Sequence, residues 1–328
     1  MMKPALPLLL STAAVLLAML GQPAQAQTAA PITAAGYVRV ADAYSFPVGD
    51  LQITALSDGT VPQDLYTLML GTAQAHVDDL LHSSFQSNPV EASINAFLIR
   101  GGDHTILVDT GSGDLFGPGY GGKLLDSLKS VGVTPDAITD ILITHIHTDH
   151  TGGLVQAGKP VFANATVHVG APDVSFFLDA TNAGKTGYDA KYFDEAAKTV
   201  GVYQALGQVR TFADGETVLP GITGSIHPGH TPGSAFFHLV SKGLSITFVG
   251  DIVHVEAVQF PDPKVAILYD VKPDQAVATR EQAFGEFAGD RALIAAPHLP
   301  FPGVGHVRRE GPDSFSFHPI EYRNRDGK

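Results

Sequence analysis

The chain has 328 residues, 44% of them hydrophobic, enough to bury the core of one large domain or of two ordinary ones. Its formal net charge of −13 opposes binding to nucleic acid or anionic lipid, both of which favour basic surfaces, and suits small neutral ligands. With no cysteine present, neither a disulfide framework nor a thiolate ligand is available, so any metal must be held by His, Asp or Glu.

The first 26 residues read as a secretory signal peptide. Lys3 supplies the basic n-region, residues 5–20 are apolar apart from Pro7, Ser11 and Thr12, and Ala24-Gln25-Ala26 matches the small-x-small cleavage pattern. Cleavage after Ala26 leaves a mature protein in the periplasm or outside the cell, with no membrane association. An uncleaved anchor is the alternative, but a spanning helix needs about 20 apolar residues, and no later segment supplies them. Residues 27–49, rich in Ala, Pro and Gly, read as an extended arm. Residues 50–328 read as one catalytic domain.

Strand-like runs follow at 51–56, 92–100 and 105–108. Turn residues Ser57-Asp58-Gly59 and Gly101-Gly102-Asp103 lie between them, which suggests hairpins. The spacing of Leu124, Leu125, Leu128 and Val131 predicts a helix over 123–131, stopped at Gly132. A second helix-like start at Thr134-Pro135-Asp136 leads into a buried strand at 140–144. Further strands are expected at 166–169, 235–240, 244–249 and 292–296, a late helix at 274–288, and a Pro/Gly-rich tail at the end. Strands alternating with helices indicate an α/β protein of layered sheets flanked by helices.

The strand at 140–144 runs directly into Thr144-His145-Ile146-His147-Thr148-Asp149-His150. Three imidazoles and a carboxylate so close together give N and O ligands that suit zinc and its neighbours. His145 and His147 are two apart and can face one metal, while the turn directs Asp149 and His150 toward a second. A His-rich solvent loop would leave these residues alone. Instead, partners recur downstream: His230 in His227-Pro228-Gly229-His230-Thr231-Pro232-Gly233, Asp251 after the run 246–250, and His298 in Ala295-Ala296-Pro297-His298. Each lies at a strand end or in a Gly- or Pro-rich turn, where one end of a sheet sandwich gathers residues distant in sequence.

Residues 132–153 with the HxHxDH box, the Gly-His-Thr-Pro-Gly box, the Gly250-Asp251 pair and the late His298 resemble the metallo-β-lactamase superfamily over nearly all of the mature chain. That resemblance implies an αββα sandwich and two divalent ions, zinc, with His145, His147 and His230 on one, Asp149, His150 and His298 on the other, and Asp251 bridging both. It also implies hydrolysis by hydroxide held between the ions, with Asp149 as ligand and proton shuttle and Asp251 setting the spacing. Within the superfamily, 54–60, Asp109-Thr110-Gly111, 115–118, Val258-Gln259-Phe260 and 298–303 are similar to methyl parathion hydrolase and the related lactone and aryl ester hydrolases. Leu68 stands where the phosphotriesterase pattern has a basic residue, and His254, Ile267 and Tyr269 stand where it has smaller or less polar ones. A lactone or aryl ester substrate is therefore expected ahead of an organophosphate triester.

His147 in place of Glu argues against the redox di-iron branch, and Asp251 as a bridge argues against true β-lactamases. The absence of a large insert and of basic surface argues against RNA-processing members, and the short tail against thioesterases of the glyoxalase II type. The resemblance further suggests a homodimer and a pocket lined by Leu68, Phe116, Phe177, Phe193, His254 and Tyr269. Asp109, ending its strand, is a candidate acceptor for the outer N–H of a ligand histidine, with a plain turn residue as the alternative. His227 reads as structural. His168, His238, His306 and His318 read as surface or hydrogen-bonded core residues.

Overall fold

Apolar residues that alternate along the strands build two sheets, each buried on both faces over much of its area. The computed structural model describes residues 42–323; the expected signal peptide and the arm up to residue 41 lie outside them. The first sheet has seven strands in chain order: β1 Ala43–Val48, β2 Leu51–Gln63, β3 Val90–Gly101, β4 His104–Val108, β5 Asp140–Ile143, β6 Thr166–Gly170 and β7 Val209–Phe212. Neighbours are antiparallel up to β4 and parallel from β4 to β7. The second also has seven: β8 Glu216–Leu219, β9 Ile222–Ile226, β10 Ala235–Ser241, β11 Leu244–Phe248, β12 Leu293–Ala295, β13 Val304–Arg309 and β14 Phe315–Pro319. Here only β11 and β12 run parallel.

Successive side chains on a strand point to opposite faces, and this period sorts the core into layers. Ile53, Phe97, Ile99, Ile106, Val108 and Leu142 of the first sheet meet Phe237, Leu239, Ile246, Phe248 and Ala295 of the second. The rings of Phe97 and Phe248 lie 5.4 Å apart across that interface. The intervening residues Leu98, Leu107, Ile141, Ile143, Val167 and Val169 face outward onto helices. Numbering the helices of more than four residues, these are α2 Leu124–Ser130, α3 Ala171–Phe177, α5 Ala190–Lys198 and α6 Val200–Ala205; α1 Gln74–Ser83 and α4 Thr181–Thr186 complete the N-terminal set. On the far side Phe236, Ile294, Val307 and Phe317 pack on Ala283, Phe284 and Phe287 of α7 Pro273–Asp290. The result is the expected αββα sandwich. No helix among the described residues is long and apolar enough to cross a membrane.

Several expectations need correction. Ala43–Val48 pairs with β2 instead of forming part of a free arm. Ser57-Asp58-Gly59 is not a turn but a shift of register inside β2, which continues to Gln63. The helix expected from Thr134 is a single 3₁₀ turn at Pro135–Ala137, because the chain must enter β5 within three residues. The Pro/Gly-rich tail closes the second sheet as β13 and β14, whose Val304, Val307, Phe315 and Phe317 are buried.

Candidate metal centre

β5 brings four consecutive buried residues to the end of the first sheet, and the chain then turns through Thr144–His147 into one helical turn, Thr148–Thr151. Two buried carboxylates hold this turn. Asp109, at the end of β4 with φ +58°, accepts the Thr144 N–H and hydroxyl, each at 2.8 Å. Asp173 of α3 accepts the Ile146 N–H at 2.9 Å, and also the Thr231 hydroxyl and the Gly233 N–H of the 227–233 loop. Burial raises the Asp173 pKa to about 6 even against these three donors. The two histidine-bearing loops are thus fastened to one group. Asp251 follows β11 in the turn Gly250–Ile252, and His298 follows β12. Gly250 has φ +50°, and a Cβ there would lie 2.9 Å from Thr144 Cβ, so a glycine lets the two strand ends approach.

Seven side chains converge. His145 Nε2, His147 Nδ1 and His230 Nε2 form a triangle with edges of 3.1, 3.0 and 3.2 Å. Asp149, His150 and His298 form a second group: Asp149 Oδ1 is 3.6 Å from His150 Nε2, and its Oδ2 is 3.5 Å from His298 Nε2. Asp251 lies between them. Its Oδ2 is 3.6 Å from His145 Nε2, 3.4 Å from His230 Nε2 and 3.1 Å from His298 Nε2, and its Oδ1 is 3.3 Å from His150 Nε2.

The outer nitrogen of each histidine is occupied, which fixes the tautomer that faces inward. His150 Nδ1 donates to Asp109 Oδ2 at 2.9 Å, His230 Nδ1 to Asp270 Oδ1 at 2.8 Å, and His298 Nδ1 to the Ser93 carbonyl at 2.8 Å. His145 Nδ1 lies 3.2 Å from the Thr144 hydroxyl, and His147 Nε2 lies 2.8 Å from the Tyr188 hydroxyl. Two of the inner atoms, His150 Nε2 and Asp251 Oδ1, are buried without a hydrogen bond. Burial, then the charge of neighbouring histidines, keeps His145 and His147 neutral by lowering their pKa well below the usual value. Burial also opposes charge on His230, but Asp251 and Asp270 outweigh it and bring its pKa up to about 9. One proton on His230 can bridge a single pair in the triangle. A cation there would instead be offered all three nitrogens and an Asp251 oxygen, and Asp149, His150 and His298 offer a second such group, so the donor set fits two divalent ions.

Beside the cluster lies a cavity of about 660 Å³, partly open solvent, lined by Val61, Pro62, Gln63, Phe116, His147, Asp149, Lys191, Tyr192, His254, Tyr269 and His298, among others. Phe116, His254 and Tyr269 stand in its wall as expected. Leu68, Phe177 and Phe193 do not. Phe177 and Phe193 are buried in the layer between β-sheet and helices, and Leu68 packs on the small cluster around Leu65 and Ile267. Phe177 still touches the site from behind, its ring 5.8 Å from His147. Of Phe116, His254 and Tyr269, His254 is the buried one: Nε2 is 3.0 Å from Asp251 Oδ2, without hydrogen-bond geometry, and burial lowers its pKa to about 4. His227 is not a ligand; it stacks on Phe236 at 3.8 Å and pairs with Ser225. His168 is buried on Asp140 at 2.9 Å.

Sequence reasoning missed Tyr188, Tyr192, Lys191 and Asp270. Asp270 had a usable signal, a carboxylate next to the expected pocket residue Tyr269. It is backed in turn by Arg280, whose guanidinium is buried 4.0 Å away and is held by the carbonyls of Ile252, Pro263 and Val265.

The model of the metallo-beta-lactamase superfamily matches residues 90–298. Among solved structures, the chain is similar to the hydrolase AbOPH of the beta lactamase superfamily, with 38% identity, 88% of this chain and 100% of that one covered, and a TM-score of 0.83. It is also similar to AidC, a dizinc quorum-quenching lactonase, with 25% identity, 87% and 99% coverage, and a TM-score of 0.78. A curated relative, ribonuclease TTHA0252 of Thermus thermophilus, is 26% identical over 183 residues, which is 55% of this chain and 40% of the ribonuclease. The chain spans 40% to 58% of the length of the curated relatives it matches. With the family match running from β3 to the last of the converging histidines, the chain belongs to the metallo-beta-lactamase superfamily.

Proposed function

We propose that this chain is a secreted dinuclear hydrolase that opens lactones or cleaves aryl esters, with zinc as the resident metal. The observation that carries the reading is the convergence of His145, His147, Asp149, His150, His230, Asp251 and His298 beside a cavity walled by Phe116, Tyr192 and Tyr269. The similarity to AidC, a lactonase, supports the choice of a cyclic ester. Two divalent ions bound there supply Lewis-acid polarisation of the ester carbonyl and a water acidic enough to attack near neutral pH.

The chain's own residues do the rest. His145, His147 and His230 grip one side of Asp251, and Asp149, His150 and His298 the other. Asp251 sits within 3.6 Å of a ligand nitrogen in each group and so fixes their separation. Asp149 is less buried than the other ligands, its side chain 15% exposed toward the cavity, which suits it to take the proton given up by the attacking water and pass it to a departing alkoxide. The rings of Phe116, Tyr192 and Tyr269 give the acyl or aryl part of a substrate an apolar seat. Burial, then Asp149 and Asp251, raise the Tyr269 pKa to about 12, so its hydroxyl stays protonated and available as a donor.

A phosphotriester hydrolase is the second reading, from the likeness to the methyl parathion hydrolase group stated above. Comparison of kcat/KM for a dihydrocoumarin-like lactone with that for a p-nitrophenyl dialkyl phosphate tests the order. A ratio above one supports a lactonase or arylesterase, and a ratio below one reverses the assignment.

A further inference from the structure

We infer that Tyr188 is a positioning residue that selects the nitrogen His147 offers to a metal and ties that histidine to the wall of the substrate cavity. The inference rests on the dinuclear reading above and goes beyond it to a residue outside the ligand set.

Tyr188 lies in the three-residue stretch between α4 and α5, and its hydroxyl has two partners: His147 Nε2 at 2.8 Å and the Tyr269 carbonyl at 2.8 Å. A phenol has one proton, and a carbonyl can only accept. The proton is therefore spent on Tyr269, and the oxygen must accept from His147. That places the imidazole hydrogen on Nε2 and leaves Nδ1 as the lone pair, 3.1 Å from His145 Nε2 and 3.0 Å from His230 Nε2. His145 and His230 present Nε2 to the same point, so His147 is the member of the triangle bound through the other nitrogen. Without the hydroxyl the two tautomers of His147 are closer in energy, and one of them blocks the ligand position.

The second bond has its own consequence. Tyr269 lines the cavity, and the next residue, Asp270, holds His230 at 2.8 Å. Residues 269–270 are thereby bound to two ligands of the same triangle, to His230 directly and to His147 through Tyr188. The Tyr188 ring is itself fixed, 5.0 Å from Tyr192, 6.3 Å from Phe177 and 6.5 Å from Phe176.

Tyr188→Phe keeps those ring contacts and removes only the hydroxyl. Tyr203→Phe is the control: it deletes another buried hydroxyl of the same core, bonded to the Phe162 N–H and the Leu154 carbonyl, with no path to a ligand. Both variants and the wild-type chain are titrated with Zn²⁺ against a chromophoric chelator, and their Co²⁺-loaded forms are compared by visible absorption. Tyr188→Phe is expected to weaken one of the two metal equivalents by about 10- to 100-fold, to change the Co²⁺ spectrum, and to raise KM for a lactone. Tyr203→Phe is expected to lower Tm while leaving both metal equivalents and the spectrum as in the wild type. Wild-type affinity for both equivalents in Tyr188→Phe, or an equal loss in Tyr203→Phe, overturns the role of Tyr188 and leaves the dinuclear reading standing. A wild-type chain that takes up no metal overturns both.

Discussion

Replacement of Asp58 by alanine should cost more stability than removal of any single apolar contact near it, and should also loosen the substrate cavity. The carboxylate is buried at the register shift in β2. It accepts the Ser112 N–H at 2.9 Å and hydroxyl at 3.0 Å, and the N–H groups of Gly122, Lys123 and Leu124, each at 2.9 Å. These donors are the free N-terminal amides of α2 and the backbone on both sides of the glycine-rich loop that carries Phe116. Burial raises the Asp58 pKa, and these donors act against that rise. Each buried donor left without a partner costs about 1–3 kcal/mol, and water entering the space restores part of it, so the net loss should be about 3–5 kcal/mol. At roughly 2–4 °C per kcal/mol for a large domain, Tm should fall by about 10 °C. A urea titration should show a lower midpoint with an unchanged slope, and KM should rise more than kcat falls because Phe116 loses its support. A loss below about 1 kcal/mol would refute the reasoning, since it would mean the loop amides find other acceptors.

Other outcomes follow from the same geometry. Asp109→Asn removes the carboxylate that holds His150 Nδ1–H at 2.9 Å, and should weaken metal binding by about 10- to 100-fold in a chelator competition. Gly250→Ala forces an L-residue to φ +50° with its Cβ 2.9 Å from Thr144, and the resulting shift of Asp251 against His145 should lower kcat by about 100-fold with a smaller change in Tm. At Asp140 burial favours the neutral acid, but bonds from His168, His104 and Thr139 outweigh it and hold the pKa at about 2. A depressed folded-state value means that this stability is present above the ordinary 3.8 and is lost as the pH falls toward about 2. Asp140→Asn should flatten the fall in stability across that window, measured as urea midpoints at successive pH values. Metal at 100 times its Kd should add about 2.7 kcal/mol per site, seen as a Tm that drops when a chelator is added.

What was legible in the sequence, and what was not, divides along physical lines. The ligand residues were legible because three imidazoles and a carboxylate stand within six residues after a strand and further His and Asp recur at later strand ends, and all seven expected residues meet in space. Central strands such as β3 and β5 were legible because burial on both faces demands continuous apolar runs. The last two strands of the second sheet were not. β13 and β14 are buried on one face only, so Val307, Phe315 and Phe317 alternate with charged and polar residues among prolines and glycines. The helices from Ala171 to Ala205 escaped notice because each buries only a few side chains, such as Phe193 and Ala196 of α5.

The pocket showed the limit most clearly. Phe177 and Phe193 fill the core behind His147, whereas Tyr192, one residue from Phe193 on the same helix, faces the cavity. A helix turns about 100° per residue, so an error of one position exchanges core for cavity. Tyr188 and Asp270 were hidden for a different reason: they act on ligands 41 and 40 residues away in sequence, and no local motif joins them.

The most direct test of the central claim is metal stoichiometry by mass spectrometry on the purified wild-type chain and on Asp251→Ala, with turnover of a lactone followed before and after a chelator. Two equivalents per wild-type chain are predicted, with loss of metal from the variant and turnover abolished by the chelator and restored by added divalent metal. A wild-type chain without bound metal, or turnover that survives complete chelation, would contradict the account.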